Sequence, residues 1–113
     1  AYQRDPLSAL SFYTDDRTVE LSRVVARAQD WHHRYRIKVL FIDYLQLVRV
    51  KSSANLVERI GEVTRALKQL AKRLEIPVVA LSQFNREPDK EARRPRLSDL
   101  RDSGAIEQDA DVV

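Results

Sequence analysis

Two polar side chains follow short apolar runs, at the point where a buried strand would end. The run 39–42 (VLFI) ends at Asp43, and the run 78–81 (VVAL) is followed by Ser82 and Gln83. In open sheets of parallel strands, ligands bind beyond the carboxyl ends of the strands. A carboxylate there can hold Mg²⁺, directly or through water, beside the phosphates of a nucleotide. A turn aspartate after a strand is also common, so Asp43 alone is a weak signal.

Gln83 occupies the matching position after the second run. If the two strands are parallel neighbours, Asp43 and Gln83 project from the same edge of the sheet. An uncharged amide at that edge can hydrogen-bond a γ-phosphate, or the water that attacks it, and so respond to its presence. The alternative interpretation is a polar strand-end residue that only makes a turn contact. The pair indicates a nucleotide site more strongly than either residue alone.

The stretch from Phe84 to Gly104 interleaves basic and acidic residues, so its charge nearly cancels. Composition therefore favours a solvated loop over a basic patch. Its last residues, 101–104 (RDSG), are more informative. A glycine beside guanidinium and hydroxyl groups lets backbone N–H groups approach a phosphate closely.

Two amphipathic helices must position these residues. Apolar residues at helical spacing predict the first helix over about residues 18–35, with Asp16 or Thr18 capping its first turn. The second helix is expected from Leu56 to Leu74, with Asn55 as its N-terminal cap. A proline at position 77 ends it.

The apolar runs 39–42 and 78–81 are too short for helices and are typical of strands covered on both faces of a parallel sheet. With the second helix between them, they form a parallel crossover. Residues 10–14 and the apolar pair 112–113 are further candidate strands. The fold class predicted from this order is α/β.

Composition sets limits on the function. The 113 residues form at most one domain or a piece of one, and a net charge of +3 with a pI near 9.4 is compatible with nucleic-acid binding without requiring it. The absence of cysteine excludes disulfides and cysteine-based zinc sites. No apolar run approaches the ~20 residues of a membrane span, so we expect a cytoplasmic protein without a membrane partner.

The glycines exclude two phosphate-binding motifs from these residues. Only Gly61 and Gly104 are present, whereas GxxxxGK[ST] needs two glycines five positions apart. The sequence therefore contains neither that Walker A loop nor GxGxxG.

Four segments together resemble the bacterial replicative DNA helicases of the DnaB type. Residues 42–47 (IDYLQL) are similar to the family's Walker B segment, and 67–72 (LKQLAK) to the helix that follows it. Residues 81–86 (LSQFNR) are similar to the next motif, and 94–111 (RPRLSDLRDSGAIEQDAD) closely resemble the last, which contains a DNA-binding loop. The segments occur in family order and cover about residues 37–113.

The resemblance implies that residues 1–113 form part of a RecA-like (P-loop NTPase) motor domain, with parallel strands and crossover helices. It implies ATP and Mg²⁺ as cofactors, with Asp43 as the Walker B acid that serves Mg²⁺ through water. Gln83 would be the γ-phosphate sensor.

The resemblance also implies partners. The full-length helicase would form a homo-hexameric ring around single-stranded DNA, with primase and a helicase loader as further partners. Arg101, Asp102 and Gly104 fall on positions that meet the DNA backbone in the central channel. The loop 49–55 would be the other channel-facing loop.

Some features depart from the family pattern or lie outside the sequence. Phe84 stands where leucine is usual, and Asp102 where glutamate is usual. The Walker A loop and the catalytic glutamate are expected upstream of residue 1, and the arginine finger downstream of residue 113. We therefore expect these residues by themselves to show no ATPase activity. The alternatives are a non-hydrolysing DNA-binding or ring-assembly module and a recombinase-type RecA relative.

Overall fold

A computed structural model describes residues 9–51, 55–83 and 104–113 of the chain. The elements in chain order are helix α1 (Leu21–Tyr35), strand β1 (Leu40–Ile42), a 3-10 turn (Leu45–Leu47), helix α2 (Leu56–Leu74), strand β2 (Val78–Ala80) and helix α3 (Gly104–Asp109). β1 and β2 form a two-stranded parallel sheet. The predicted α/β class and the crossover through α2 are confirmed.

Helix α2 lies at the centre of the core. Its apolar stripe buries Ile60, Val63, Leu67 and Leu70. Against it pack buried residues of the other elements: Ala28 of α1, Leu40 and Ile42 of β1, Leu45 and Val48 of the turn, Ile76, and Ile106 of α3. A fully buried aliphatic side chain contributes about 1.5–3 kcal/mol through removal of its apolar surface from water. The stripe therefore fixes where the sheet and the turn lie relative to α2.

The ends of α2 follow from local chemistry. The side chain of Asn55 accepts a hydrogen bond from the backbone N–H of Glu58 at 2.9 Å, which confirms Asn55 as the N-terminal cap. Lys72 and Arg73 lie in the last turn, where cations suit the helix dipole. The helix ends at Glu75, whose left-handed conformation (φ 55°) turns the chain toward β2.

The predicted cap of α1 is wrong. The helix begins at Leu21, and the residue before it, Glu20, makes no side-chain cap. Residues 15–18 instead form a local turn. The Asp15 carboxylate accepts hydrogen bonds from the backbone N–H groups of Arg17 and Thr18 at 2.9 and 3.0 Å. Asp16 and Thr18 therefore lie too early in the chain to cap the helix.

The two further candidate strands are also wrong. Residues 10–14 form no strand; Tyr13 instead stacks on Tyr35 at the end of α1, with ring centroids 4.2 Å apart. At the other end of the sequence, residues 110–113 follow α3 and are neither helix nor strand.

The expectation that both faces of the sheet are covered is wrong for the described residues. Leu40 and Ile42 are buried in the core cluster that includes the α2 stripe, whereas Phe41 between them is 62% exposed. Successive strand residues point to opposite faces, so α2 covers one face only. None of the helices in the described part of the chain is both long and apolar enough to cross a membrane.

Candidate functional site

The parallel register brings the two predicted site residues to one edge of the sheet. Ile42 pairs with Ala80 at the end of the ladder, and the Leu81 N–H donates to the Ile42 carbonyl at 2.9 Å. Asp43 follows directly on one strand, and Gln83 follows three residues after Ala80 on the other. Both residues therefore follow the carboxyl ends of neighbouring parallel strands, as the sequence predicts.

Asp43 leaves its carboxylate exposed to solvent. The peptide bond that follows it, to Tyr44, is cis. The part of the chain that the structure describes offers this carboxylate no hydrogen bond and no ion pair. An exposed carboxylate without a protein partner at this edge has its oxygens available to a hydrated metal ion.

Gln83 is exposed as well, and the described residues give its side-chain amide no hydrogen bond. Its backbone is held differently. The Gln83 N–H donates to the side-chain Oε1 of Gln46 at 3.3 Å. The backbone N–H of Gln83 is therefore bonded to the protein, while its side-chain amide remains available to a ligand.

Sequence reasoning missed a group of polar residues behind this edge. The Gln46 Nε2 donates to the Ser82 hydroxyl at 2.9 Å, and the Gln46 carbonyl accepts from Nη2 of Arg59 on α2 at 3.2 Å. The bonds cross 36 and 13 positions of sequence, respectively. Spacing along the chain carries no signal for such contacts, because they depend on how the turn packs between β2 and α2.

Of the predicted DNA-contacting residues, Arg101 and Asp102 lie outside the described residues. Gly104 is the first residue of α3, and it is exposed. A Cβ placed on Gly104 would meet no described residue within 4 Å. The position is therefore open on the side where a side chain would project.

Helix α3, which the sequence did not predict, is anchored on α2. The Thr64 hydroxyl donates to Asp109 Oδ2 at 2.6 Å, and Lys68 forms an ion pair with Asp111. The Lys68 hydrogen bond, reinforced by its positive charge, lowers the pKa of the Asp111 carboxyl. Ile106 completes the contact as a buried apolar residue. The end of the predicted DNA-binding segment is thereby attached to the same helix that holds Gln46.

The other predicted channel loop, 49–55, is described at its two ends, and residues 52–54 lie outside the description. Arg49 forms a parallel bridge with Glu20. Its N–H donates to Val19 at 2.7 Å, and its carbonyl accepts from Leu21 at 2.9 Å. The first residue of the loop, Arg49, is therefore hydrogen-bonded to the backbone beside the start of α1.

Comparison with known proteins agrees with the motifs. The model of the DnaB-like helicase C terminal domain matches residues 2–113. The chain is 49% identical to the replicative DNA helicase DnaB of Rickettsia bellii over 110 residues, which is 95% of this chain and 22% of that protein. The corresponding identities are 44% for Leifsonia xyli, over all of the chain and 25% of the relative, and 40% for Geobacillus stearothermophilus, over 95% and 24%.

The matches therefore cover nearly all of this chain but only a small part of each relative. The chain spans about a quarter of the length of these curated relatives. A family model that covers nearly every residue of the chain, together with these identities, leads to one conclusion. The chain belongs to the DnaB-like helicase C-terminal domain family.

Proposed function

We propose that this chain is part of the motor of a replicative DNA helicase. The full-length protein hydrolyses ATP, moves along single-stranded DNA and unwinds the duplex during DNA replication in the cytoplasm. The observation that carries the proposal is the carboxyl edge of the sheet, where Asp43 and Gln83 are both exposed and their side chains have no partner among the described residues. Family membership supports it.

The fold that fits this role is part of a RecA-like motor domain over residues 1–113. The parallel pair joined through α2 is the unit from which such sheets are built. The Walker A loop is not among these residues. This chain therefore supplies the acid and the sensor side of the nucleotide site.

The residues at the edge fit MgATP as the cofactor. Asp43 holds Mg²⁺ through water, since carboxylate oxygens and water are ligands that this hard cation prefers. When bound there, the ion would supply positive charge that offsets the negative charge of the phosphates. Gln83, as a neutral amide with both a donor and an acceptor, hydrogen-bonds the γ-phosphate or the attacking water.

The DNA contacts belong to the segment before α3. Arg101, Asp102 and Gly104 meet the backbone of single-stranded DNA, with the loop 49–55 as a second contact. Basic side chains and exposed backbone N–H groups suit phosphates of any sequence. The active assembly is a homo-hexameric ring, and primase and a helicase loader are its further partners.

Asp43 provides the direct test of this proposal. In a full-length helicase that carries this chain, Asp43→Asn removes the charge that serves Mg²⁺ and keeps the size of the side chain. We expect kcat for ATP hydrolysis to fall by about 10²-fold or more, the effect of losing several kcal/mol of charge stabilisation. Steady-state ATPase assays in the presence of single-stranded DNA measure it.

Asp30→Asn is the matched control, because Asp30 is exposed on α1 and its ion pair among the described residues is with Arg34, at 3.5 Å. Its ATPase rate should equal that of the wild type. An unchanged rate for Asp43→Asn would contradict the assignment of Asp43. A wild-type protein that binds DNA but hydrolyses no ATP would instead favour the non-hydrolysing module.

A further inference from the structure

The side chain of Gln46 connects the turn after β1 to the segment after β2. Its Oε1 accepts the N–H of Gln83 at 3.3 Å, and its Nε2 donates to the Ser82 hydroxyl at 2.9 Å. A backbone N–H can only donate, so the amide oxygen must face Gln83 and the NH₂ group must face Ser82. The orientation of the amide is therefore determined by its partners.

These bonds lie where the backbone ladder of the sheet ends. The last backbone bonds between the two segments both involve Leu81, which donates to Ile42 and accepts from Leu45, each at 2.9 Å. Beyond Leu81, the described residues link the segments through the Gln46 side chain. Gln46 thus extends the hydrogen bonding of the sheet to the backbone of Gln83.

Gln46 itself has little freedom to move. The residue before it, Leu45, is 2% exposed and anchors the 3-10 turn in the core. Arg59 of α2 donates to the Gln46 carbonyl in a partly buried contact. Each bond to a preorganised partner costs less conformational entropy than one to a mobile side chain. The turn therefore presents the amide in one place.

We propose that Gln46 is a positioning residue that aims Gln83 at the γ-phosphate of the bound nucleotide, through the Gln83 backbone N–H and through Ser82. The inference rests on the proposed role of Gln83 as the γ-phosphate sensor. Gln46 touches neither nucleotide nor metal in this role. It acts by fixing the backbone from which the sensing side chain projects, and small displacements of such a group weaken its contact strongly.

The test measures discrimination of the γ-phosphate in a full-length helicase that carries this chain. The ratio of Kd for ADP to Kd for the β,γ-imido analogue of ATP, with Mg²⁺, is compared between the wild type and Gln46→Ala. We expect the preference for the triphosphate to fall about tenfold, as for loss of one hydrogen bond to a charged group. The Kd for ADP should stay within about twofold, since ADP has no γ-phosphate to sense.

A double-variant cycle separates positioning from general damage. If Gln46 acts through Gln83, Gln46→Ala should cost no further discrimination in a Gln83→Ala background. Gln69→Ala is the matched control, because Gln69 is exposed on α2 and should keep the wild-type ratio. Losses that multiply in the double variant, or an unchanged ratio in Gln46→Ala, would overturn the inference and leave the proposed function intact.

The remaining outcomes are also decisive. A normal ratio in Gln83→Ala would remove the sensor assignment, and with it the reason for positioning Gln83. If Gln46→Ala fails to assemble, Ser82→Ala replaces it. This change removes the acceptor of the 2.9 Å bond from Gln46 Nε2, together with the longer 3.4 Å contact from the Ser82 hydroxyl to the Gln83 carbonyl. A smaller loss of discrimination in the same direction supports the inference, and an unchanged ratio in Ser82→Ala rejects it.

Discussion

Hydrogen-bond partners distinguish aspartates that hold the backbone from an aspartate available to a ligand. The Asp15 carboxylate accepts the N–H groups of Arg17 and Thr18, and it also accepts the Thr18 hydroxyl at 2.6 Å. The Asp43 carboxylate has no such donor in the described part of the chain. Residue type is the same in both cases, so the partners decide which carboxylate can serve a metal.

Asp15 gives a prediction about pH. The Thr18 hydroxyl, the N–H groups of Arg17 and Thr18, and the nearby Arg27 lower the pKa of its carboxyl to about 2. Because the folded pKa lies below the unfolded value near 4, the stabilisation is complete above pH 4 and is lost as the pH falls toward 2. NMR titration of the carboxyl carbon should show a midpoint near 2. In Thr18→Val, which removes a donor, the pKa should rise; an unchanged midpoint would contradict this cause.

Helix α2 contacts both of the regions proposed to bind ligands. Near its start, Arg59 holds Gln46 behind the proposed nucleotide edge. Five and nine residues further along, Thr64 and Lys68 hold Asp109 and Asp111 beyond the proposed DNA segment. A movement at either region therefore acts on a partner of the same rigid helix. Such shared contacts are one physical route by which two sites can be coupled.

Asp109→Ala tests the attachment of α3. The change removes the acceptor of the 2.6 Å bond from Thr64, whose side chain is buried, at a cost of about 1 kcal/mol. In the full-length helicase we expect single-strand affinity to fall several-fold while the ATPase rate without DNA is retained. Fluorescence anisotropy and ATPase assays measure the two quantities. Glu107→Ala, on the exposed side of α3, is the control and should change neither.

Gly61 lies in the interior of α2, beneath α3. A Cβ there would lie 3.8 Å from the Ala105 Cβ, an ordinary contact, and 3.3 Å from Arg65 Nη1, the movable end of a long side chain. Alanine favours a helix interior over glycine by about 1 kcal/mol. Gly61→Ala should therefore raise the unfolding free energy of the C-terminal domain that carries this chain by about 0.5–1 kcal/mol.

Urea denaturation of that domain measures this change. Gly61→Val is the opposite control, because its γ-carbons extend toward Ala105 and should separate α3 from α2. If Gly61→Ala instead lowered the unfolding free energy below that of the wild type, the prediction would be wrong. Position 61 would then lack room for a methyl group between α2 and α3.

At the scale of the whole molecule, the described residues share one hydrophobic core, and the two faces of the sheet differ in how far they are covered. α2 covers one face of the strands, while Phe41 and Val79 on the other side are 62% and 43% exposed. Asp43 and Gln83 follow the carboxyl ends of the two strands, at the edge of the sheet where its covered and exposed faces meet. The nucleotide site proposed for the full-length protein is thus only partly contained in this chain, which spans about a quarter of its relatives.

Arg101→Ala tests the proposed DNA contact, which we assign to the proposed ring of the full-length protein. Loss of one phosphate contact should weaken binding of single-stranded DNA uniformly across sequences and reduce the salt dependence of the affinity by about one charge. Anisotropy titrations of the full-length helicase at several salt concentrations measure both. Arg73→Ala removes an exposed arginine in the last turn of α2 and is the control. An unchanged salt slope in Arg101→Ala would contradict its assignment to the channel.

The sequence by itself determined the elements whose signals are local. Helical spacing of apolar residues placed α1 and α2, short apolar runs placed β1 and β2, and Asn55 marked the start of α2. The motifs also pointed to the family. These features depend on neighbours a few positions apart, where side-chain periodicity and capping act.

Only the tertiary structure decided features that depend on distant partners. It showed that the Asp15 carboxylate holds the backbone before α1, whereas the Asp43 carboxylate has no partner among the described residues. It also showed that α3 is attached to α2 through Asp109. It also brought Gln46 to the backbone of Gln83. Such contacts form when the core fixes the relative positions of the turn, the sheet and α2, and no spacing along the chain encodes them.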